Sequence, residues 1–326
     1  MGVFSKLFLW PALLLSGSVF AEADTDRICL IVTGLGGMPE YEENFVSWAA
    51  TTEEIFNEGL AGVVHNLDGR KQSRDEILAT FKQAASNLSP RGELWIFLIG
   101  HANFDGNHYK FNIRGPDMTD EDLGVFFDSL GSKRIYAILA TSAAGAVLPD
   151  LSAPNRVIVT ATRSASERQP PMFLSFFLEA AQSAEADRDK NGRVSILEAF
   201  LFSRQRVAGW FEEKKRIQTE HALLDDRGTL QLGARSSGEN GEESANLNTG
   251  EGLLSSLGYL SMPPERAYAT LEARTLAERK VSLEREIEDL KFRKGQIPEA
   301  EYYQQLEKLL VELAGINQQL STLEGT

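Results

Sequence analysis

The fold is decided by the stretch LWIFLIGHA at residues 94–102, an apolar run that ends in a glycine and a histidine. A second apolar run, IYAILATSAAG at residues 135–145, ends in a serine within a turn of small residues. Unbroken apolar runs of this length are typical of strands buried on both faces of a parallel sheet. Open α/β sheets bind ligands beyond the carboxyl ends of their strands. We therefore expect His101 and Ser142 to lie at one edge of such a sheet.

The same pattern of apolar runs and helical stretches continues on both sides of these two runs. Further buried strands are predicted at residues 28–32, 63–67 and 157–160, and helices at 41–57, 73–87, 119–130, 172–184 and 196–216. The second of these helices begins with a capping box, Ser73 to Glu76. Asp105-Gly106 predicts a hairpin turn beside His101. Strands that alternate with helices predict an α/β fold, a three-layer sandwich around a mostly parallel sheet.

The first 21 residues carry the features of a secretory signal. Lys6 precedes the apolar stretch 7–15, and Val19-Phe20-Ala21 is a small-residue cleavage site. A membrane anchor is the alternative, but the apolar stretch is well short of the roughly 20 residues that a spanning helix needs. The sequence therefore predicts a secreted or periplasmic protein.

Charge and cysteine content exclude several classes of partner and linkage. The formal net charge of −14 disfavours nucleic acid and anionic lipid, so the expected partner is a protein or a peptide. Cys29 is the only cysteine, which excludes an intramolecular disulfide. It lies inside the apolar run 28–32, a position that favours a buried structural thiol over a nucleophile.

From about Arg27 to Leu224 the chain resembles the legumain-type cysteine peptidases, which have the caspase–haemoglobinase fold. The resemblance rests on the strand ending in GHAN at residues 100–103 and on the strand ending in ATSAAG at residues 140–145. It implies a caspase-like α/β domain, with His101 at the position of the catalytic histidine and Ser142 at that of the catalytic cysteine. It also implies that the backbone N–H of Ala102 serves the oxyanion and that Glu167 supplies a substrate-binding acid.

The departures from the family pattern leave two functions open. Ser142 replaces the thiol, and a hydroxyl needs a well-oriented base to remove its proton during attack. The family's histidine-orienting asparagine aligns loosely with Gly36, which has no side chain, and Ala102 replaces a glycine. The favoured interpretation is a pseudoenzyme, a binding or scaffold module without cysteine-peptidase activity. The alternative is a peptidase or other hydrolase that uses a His101–Ser142 dyad.

Residues 187–198, DRDKNGRVSILE, fit the calcium-binding loop of an EF-hand. Gly192 occupies the sharp turn at loop position 6, and Arg193 would offer its carbonyl at position 7. The alternative is an acidic turn ahead of a helix, with Asp187 or Asp189 as its cap. One loop without a second predicts a structural Ca²⁺ site rather than a sensor. The predicted ligands are Asp187, Asp189, Asn191, Arg193, Ser195 and Glu198.

The chain divides into a signal peptide (1–21), an α/β domain (22–232), a flexible linker (233–262) and a helical hairpin (263–326). The linker is predicted from its Gly, Ser, Glu and Asn content. In the hairpin, apolar positions spaced three and four residues apart predict two coiled-coil-like helices. They serve either as a stabilising appendage or as an element for partner docking or self-association. In the latter case the chain is an adaptor whose function lies in its tail.

Overall fold

The computed structural model describes residues 25–60, 62–131, 133–189, 192–226, 231–232, 253–260, 270–292, 294 and 297–324. The predicted signal peptide lies outside these residues, as does most of the predicted linker.

A seven-stranded sheet occupies the centre of the α/β domain, and a three-stranded sheet lies beside it. The strands are β1 (Thr25–Thr33), β2 (Val63–Asp68), β3 (Leu88–Gly100), β4 (Ala102–Phe104), β5 (Tyr109–Phe111), β6 (Met118–Thr119), β7 (Arg134–Thr141), β8 (Arg156–Thr160), β9 (Leu223–Asp226) and β10 (Gln231–Leu232). The large sheet has the order β10-β9-β8-β7-β3-β1-β2, and the small one has the order β4-β5-β6. Strands β2, β1, β3, β7 and β8 pair in parallel, whereas β9 and β10 pair antiparallel at one edge.

Helices cover both faces of the large sheet, and two further helices form a C-terminal hairpin. The helices of the α/β domain are α1 (Pro39–Glu54), α2 (Arg74–Ser86), α3 (Asp120–Ser129), α4 (Leu148–Leu151), α5 (Phe173–Ala181), α6 (Ile196–Glu213) and α7 (Leu253–Leu257), and those of the hairpin are α8 (Leu271–Phe292) and α9 (Glu299–Glu324). Capping boxes fix where α2, α3 and α6 begin, because in each the N-cap hydroxyl and the carboxylate three residues later bond the helix start. The predicted mixed α/β architecture with a mostly parallel sheet is confirmed.

The alternation of side chains along the central strands divides the interior into two cores. On β3, Trp95, Phe97 and Ile99 pack with α1, α5 and α6, whereas Leu94, Ile96 and Leu98 pack with α2, α3 and α4. The six side chains are fully buried. A strand that has helices on both of its faces needs apolar side chains at every position, which is why its sequence shows no polar alternation.

The C-terminal part begins earlier than the composition indicates. Residues 253–260 fall within the predicted linker, yet they form α7 and a short extended segment, with Leu254, Leu257 and Leu260 buried. Large apolar side chains return in this segment, and Leu254, Leu257 and Leu260 pack into the core of the α/β domain. Beyond it, α8 and α9 pack on each other around a small core of Ala273, Leu283, Ile316 and Leu320.

Within the described ranges, every helix is too short or too polar to cross a lipid bilayer.

The position of Cys29 in the middle of β1 gives a direct test of this arrangement. Its side chain is fully buried, and burial raises the pKa of the thiol well above its ordinary value. Because the thiolate is the reacting species, we expect no reaction with Ellman's reagent in the native protein and one equivalent in denaturant. Absorbance at 412 nm measures both. Rapid labelling of the native protein would contradict the burial of β1.

Candidate functional site

Two neighbouring strands bring His101 and Ser142 to the same edge of the large sheet. Strands β3 and β7 pair in parallel, and Gly100 is the register partner of Thr141. His101 and Ser142 are the residues that follow this last pair on their respective strands. The predicted juxtaposition of a histidine and a hydroxyl is therefore present in the backbone.

The hydroxyl of Ser142 is occupied by the main chain of Ala102. Its Oγ donates a hydrogen bond to the carbonyl oxygen of Ala102, 2.9 Å away, and accepts one from the backbone N–H of Ala102 at 3.1 Å. The side chain is 2 % exposed. Ser142 thus ties the end of β7 to the start of β4, and it engages the same N–H that the family resemblance assigns to the oxyanion.

The imidazole of His101 contacts the backbone carbonyl of Gly36 and not Ser142. Its Nε2 lies 2.9 Å from the carbonyl oxygen of Gly36, and the rings of Tyr41 and Phe45 pack edge-on against it at 5.5 and 5.3 Å. No hydrogen bond joins His101 to Ser142, both of which belong to the described residues. The base and the hydroxyl are therefore close in the fold but are not assembled as a dyad.

Gly36 orients the histidine, although the sequence indicates that it has nothing with which to do so. The orienting group is the main-chain carbonyl, which every residue carries, so no residue type marks it. Glycine itself is required by packing, because a Cβ at Gly36 would lie 2.6 Å from the backbone nitrogen of Glu42 at the start of α1.

The turn after Ser142 is fixed by the segment that follows β8. Ala143 has a left-handed backbone (φ 55°), and its N–H donates to the carbonyl of Glu167 at 2.8 Å. The N–H of Ala144 donates to Oγ1 of Thr162 at 2.7 Å. A Cβ at Gly145 would lie 2.1 Å from the carbonyl carbon of Arg163, so only glycine fits there. This close approach explains the glycine at position 145.

The carboxylate of Glu167 is engaged inside the protein. It is buried, and it accepts hydrogen bonds from the backbone N–H groups of Arg163 and His221 at 2.9 and 3.1 Å. The Arg163 guanidinium also pairs with it at 3.2 Å. These contacts favour a structural role for Glu167 over the substrate-binding role that the resemblance implies.

The sequence did not predict that Glu220 and His221 lie beside Glu167. His221 has no partner within its own stretch of sequence, yet its Nδ1 lies 2.6 Å from Oε1 of Glu167. Glu220 is buried and accepts hydrogen bonds from the N–H groups of Met172 and Phe173 at the start of α5. Burial raises the pKa of Glu220 to about 7, and the nearby charge of Glu167 adds to the shift. Only the fold brings these residues together from positions about fifty residues apart.

The candidate calcium loop gathers three of its predicted ligands. Ligand oxygens of Asp187, Asp189 and Glu198 all lie within 4.8 Å of one another. The N–H of Gly192, which has a left-handed backbone (φ 84°), donates to Asp187 at 2.9 Å. Glu198 is 7 % exposed, and its carboxylate faces back over the loop to accept from the N–H of Arg188 at 2.8 Å.

The other three predicted ligands are not acids, and they do not belong to this carboxylate group. Asn191 lies outside the described residues. Ser195 acts as the N-cap of α6, and its Oγ is bonded to Glu198 at 2.8 Å. Arg193 is predicted to contribute only its carbonyl, and its side chain leaves the loop to stack on Tyr259 and pair with Glu284 of α8.

Comparisons with known proteins return structures with low sequence identity. No protein-family model matches the chain, and no curated protein matches it. Similar solved structures include the Drosophila initiator caspase Dronc (12% identity, TM-score 0.46, covering 70% of this chain and 93% of that one). Caspase-1 from Spodoptera frugiperda has 12% identity and a TM-score of 0.43, covering 64% and 89%. The protein GSU0716 from Geobacter sulfurreducens has 11% identity and a TM-score of 0.43, covering 63% and 94%.

Caspases are thus among the structural neighbours of this chain. The likeness is too low to assign an activity, which depends on the residues of the site.

The raised pKa of Glu220 predicts a pH-dependent stability. The native state holds a proton more tightly than the unfolded chain, so the free energy of unfolding falls as pH rises from the ordinary glutamate value towards 7. Between pH 5 and pH 8 we expect wild type to lose about 2–3 kcal/mol more than Glu220→Gln does. Denaturant unfolding of both proteins at the two pH values measures this difference. Glu212→Gln, an exposed position, is the control and should follow wild type. Parallel pH curves for wild type and Glu220→Gln would contradict the assignment.

Proposed function

We propose that this chain is an exported, legumain-like protein that lacks cysteine-peptidase activity and acts as a calcium-stabilised binding or scaffold module. The observation that carries the proposal is the closed hydrogen-bond pair between Ser142 and Ala102. The expected partner is a protein or peptide, as the net charge of −14 indicates.

A working nucleophile requires a base within hydrogen-bond reach and a free oxyanion donor. Here the hydroxyl proton of Ser142 is given to a carbonyl, and its lone pair is given to the N–H of Ala102. The Nε2 of His101 is held by Gly36. Two of the groups that hydrolysis needs, the hydroxyl of Ser142 and the N–H of Ala102, are thus engaged with each other, and the Gly36 carbonyl fixes the orientation of His101 without bringing it to the hydroxyl. These bonds favour a structural role for Ser142 and Ala102.

The second candidate is a serine-dependent hydrolase, and the register of β3 and β7 favours it. Because Gly100 pairs with Thr141, the side chains of His101 and Ser142 extend from adjacent points of one sheet edge. Rotation of the serine side chain away from Ala102 would free its hydroxyl and the oxyanion donor together. A hydrolase of this kind would react with a reagent that labels activated serines, whereas a scaffold module would not.

A fluorophosphonate probe separates the two candidates. The scaffold proposal predicts no labelling of wild type. It also predicts that Ser142→Ala destabilises the protein by about 1–3 kcal/mol, because the N–H and C=O of Ala102 lose their partner in a buried site. In-gel fluorescence and denaturant unfolding are the measurements. Labelling that disappears in both Ser142→Ala and His101→Ala but persists in Ser166→Ala, an exposed serine nearby, would establish the hydrolase instead.

The calcium part of the proposal rests on the loop sequence together with its geometry. Three ligand oxygens converge within 4.8 Å, and carboxylates held this close repel one another unless a cation or protons neutralise them. Oxygen donors from carboxylates, a carbonyl and a hydroxyl are the ligands that Ca²⁺ prefers. Since Glu198 belongs to α6 and Asp187 to the turn after α5, the ion would join the two helices at one end of the domain.

Calcium should therefore raise the melting temperature of the wild-type protein. An ion concentration 100-fold above Kd stabilises a native-only site by about 2.7 kcal/mol, which is several degrees in Tm for a domain of this size. Extracellular loops of this type bind at about 10⁻⁴–10⁻³ M, so the measurement needs millimolar ion. Calorimetry in calcium and in chelator should show the shift in wild type and in Glu185→Ala, a matched exposed acid just outside the loop. Asp187→Ala should abolish it, and equal melting of wild type in both buffers would refute the site.

A further inference from the structure

Residues 258–260 pair with the candidate calcium loop in the way that one strand pairs with another. The N–H of Leu260 donates to the carbonyl of Val194, and the N–H of Ile196 donates to the carbonyl of Gly258, both at 2.8 Å. Ser195 and Tyr259 form an antiparallel bridge between these bonds. The loop edge where a second loop could pair is thus covered by a segment of the same chain.

This pairing segment is anchored on the α/β domain from its other side. In α7, the N–H and Oγ of Ser255 both donate to Oδ2 of Asp226 at the end of β9, at 2.8 and 2.9 Å. A Cβ at Gly258 would lie 2.7 Å from the ring of Tyr136, a residue of the central strand β7. The segment therefore links the loop to the sheet and has little freedom to leave it.

Arg193 extends the connection from the loop to the C-terminal hairpin. Its guanidinium lies 5.0 Å above the ring of Tyr259 and forms an ion pair with Glu284 of α8. The Arg193 side chain is only 8% exposed, and a buried charge keeps its place only when it is paired. On α8, Lys280 also lies 3.9 Å from the carboxylate of Glu284, but it is more exposed than Arg193. Arg193 is thus a buried contact through which the loop holds α8.

We propose that Arg193 is a latch that docks the C-terminal hairpin in cis on the calcium loop, so that ion binding and hairpin docking reinforce each other. The calcium dependence rests on the proposed function, whereas the docking rests on the contacts above. Arg193 stands at loop position 7, where an EF-hand loop offers its main-chain carbonyl to the ion, and its side chain reaches Glu284 of the hairpin. If the ion binds the Arg193 carbonyl, the backbone of Arg193 loses freedom, and its guanidinium is held in the direction of Glu284.

Linkage makes the effect reciprocal. If the ion favours the docked hairpin, the docked hairpin must raise the affinity for the ion by the same factor. Glu284 is no predicted ligand, so a change in calcium affinity on altering it reports this coupling and not the loss of a donor.

The test compares two substitutions on α8 in the full chain. Glu284→Gln removes the partner of Arg193, whereas Glu286→Gln, two residues further along, removes a partner of Arg279 within the hairpin. Titration calorimetry with CaCl₂ gives the affinity, and hydrogen exchange of the α8 and α9 amides gives the docking. We expect Glu284→Gln to weaken calcium binding about 3–10-fold, within the usual range of coupling between sites, and to speed hairpin exchange. Glu286→Gln should leave the calcium affinity at the wild-type value.

The outcomes separate this inference from the function on which it rests. If wild type binds no calcium, the proposed site and the coupling both fail. The cis docking is then judged by whether Glu284→Gln and Arg193→Gln speed hairpin exchange in ion-free protein. If wild type and Glu284→Gln bind calcium equally and their hairpins exchange equally, the site stands and the latch is refuted. Arg193→Gln keeps the position 7 carbonyl and should match Glu284→Gln in both readouts.

Discussion

The in-register pairing of β3 with β7, buried on both faces, is the constraint on which the rest of the structure depends. Eight consecutive pairs run from Glu93 with Arg134 to Gly100 with Thr141. Because side chains alternate between the two cores, a slip of one residue would exchange every apolar contact of both layers. The register therefore fixes which residues follow the strands at the carboxyl edge. His101, Ala102 and Ser142 meet there as a consequence of packing in the centre of the domain.

That edge brings a histidine and a hydroxyl near each other, and each is hydrogen-bonded to the main chain. Fixing Ser142 between the N–H and the carbonyl of Ala102 satisfies two main-chain groups at a point where β3 turns into β4 and the sheet ladder ends. A cysteine in this place would make weaker hydrogen bonds with both groups, since its S–H is a poor donor and its sulfur a poor acceptor. Serine at this position therefore gives a stronger connection between the two strands than cysteine would. The carbonyl of Gly36 fixes the histidine in a comparable way.

The sequence was sufficient for the five parallel strands and for most helices because their signals are local, whereas the antiparallel edge strands β9 and β10 were not predicted. Apolar runs, capping boxes and the Asp105-Gly106 turn each depend on neighbouring residues, and the structure has elements at all of these places. The bonds of Ser142, the orienting carbonyl of Gly36 and the grouping of Glu167, Glu220 and His221 involve partners far apart in the chain. Main-chain partners leave no mark on residue type, and long-range partners are known only once the fold is known. The departure at residues 253–260 has a further cause, since the polar composition of the linker conceals where the apolar side chains resume.

The extended part of the candidate calcium loop needs hydrogen-bond partners, and the C-terminal segment supplies them. The extended stretch around loop position 8 has N–H and C=O groups that need partners, and in an unpaired loop only water would supply them. Here Gly258 and Leu260 supply both bonds from within the chain. The ring of Tyr259, which lies between them, stacks on the guanidinium of Arg193. Arg193 in turn forms an ion pair with Glu284. The same short segment therefore completes the hydrogen bonding of the loop and packs into the core on one face of the large sheet. The burial of Leu254, Leu257 and Leu260 accounts for the apolar residues in this otherwise polar part of the sequence, because their packing holds the segment where the loop can pair with it.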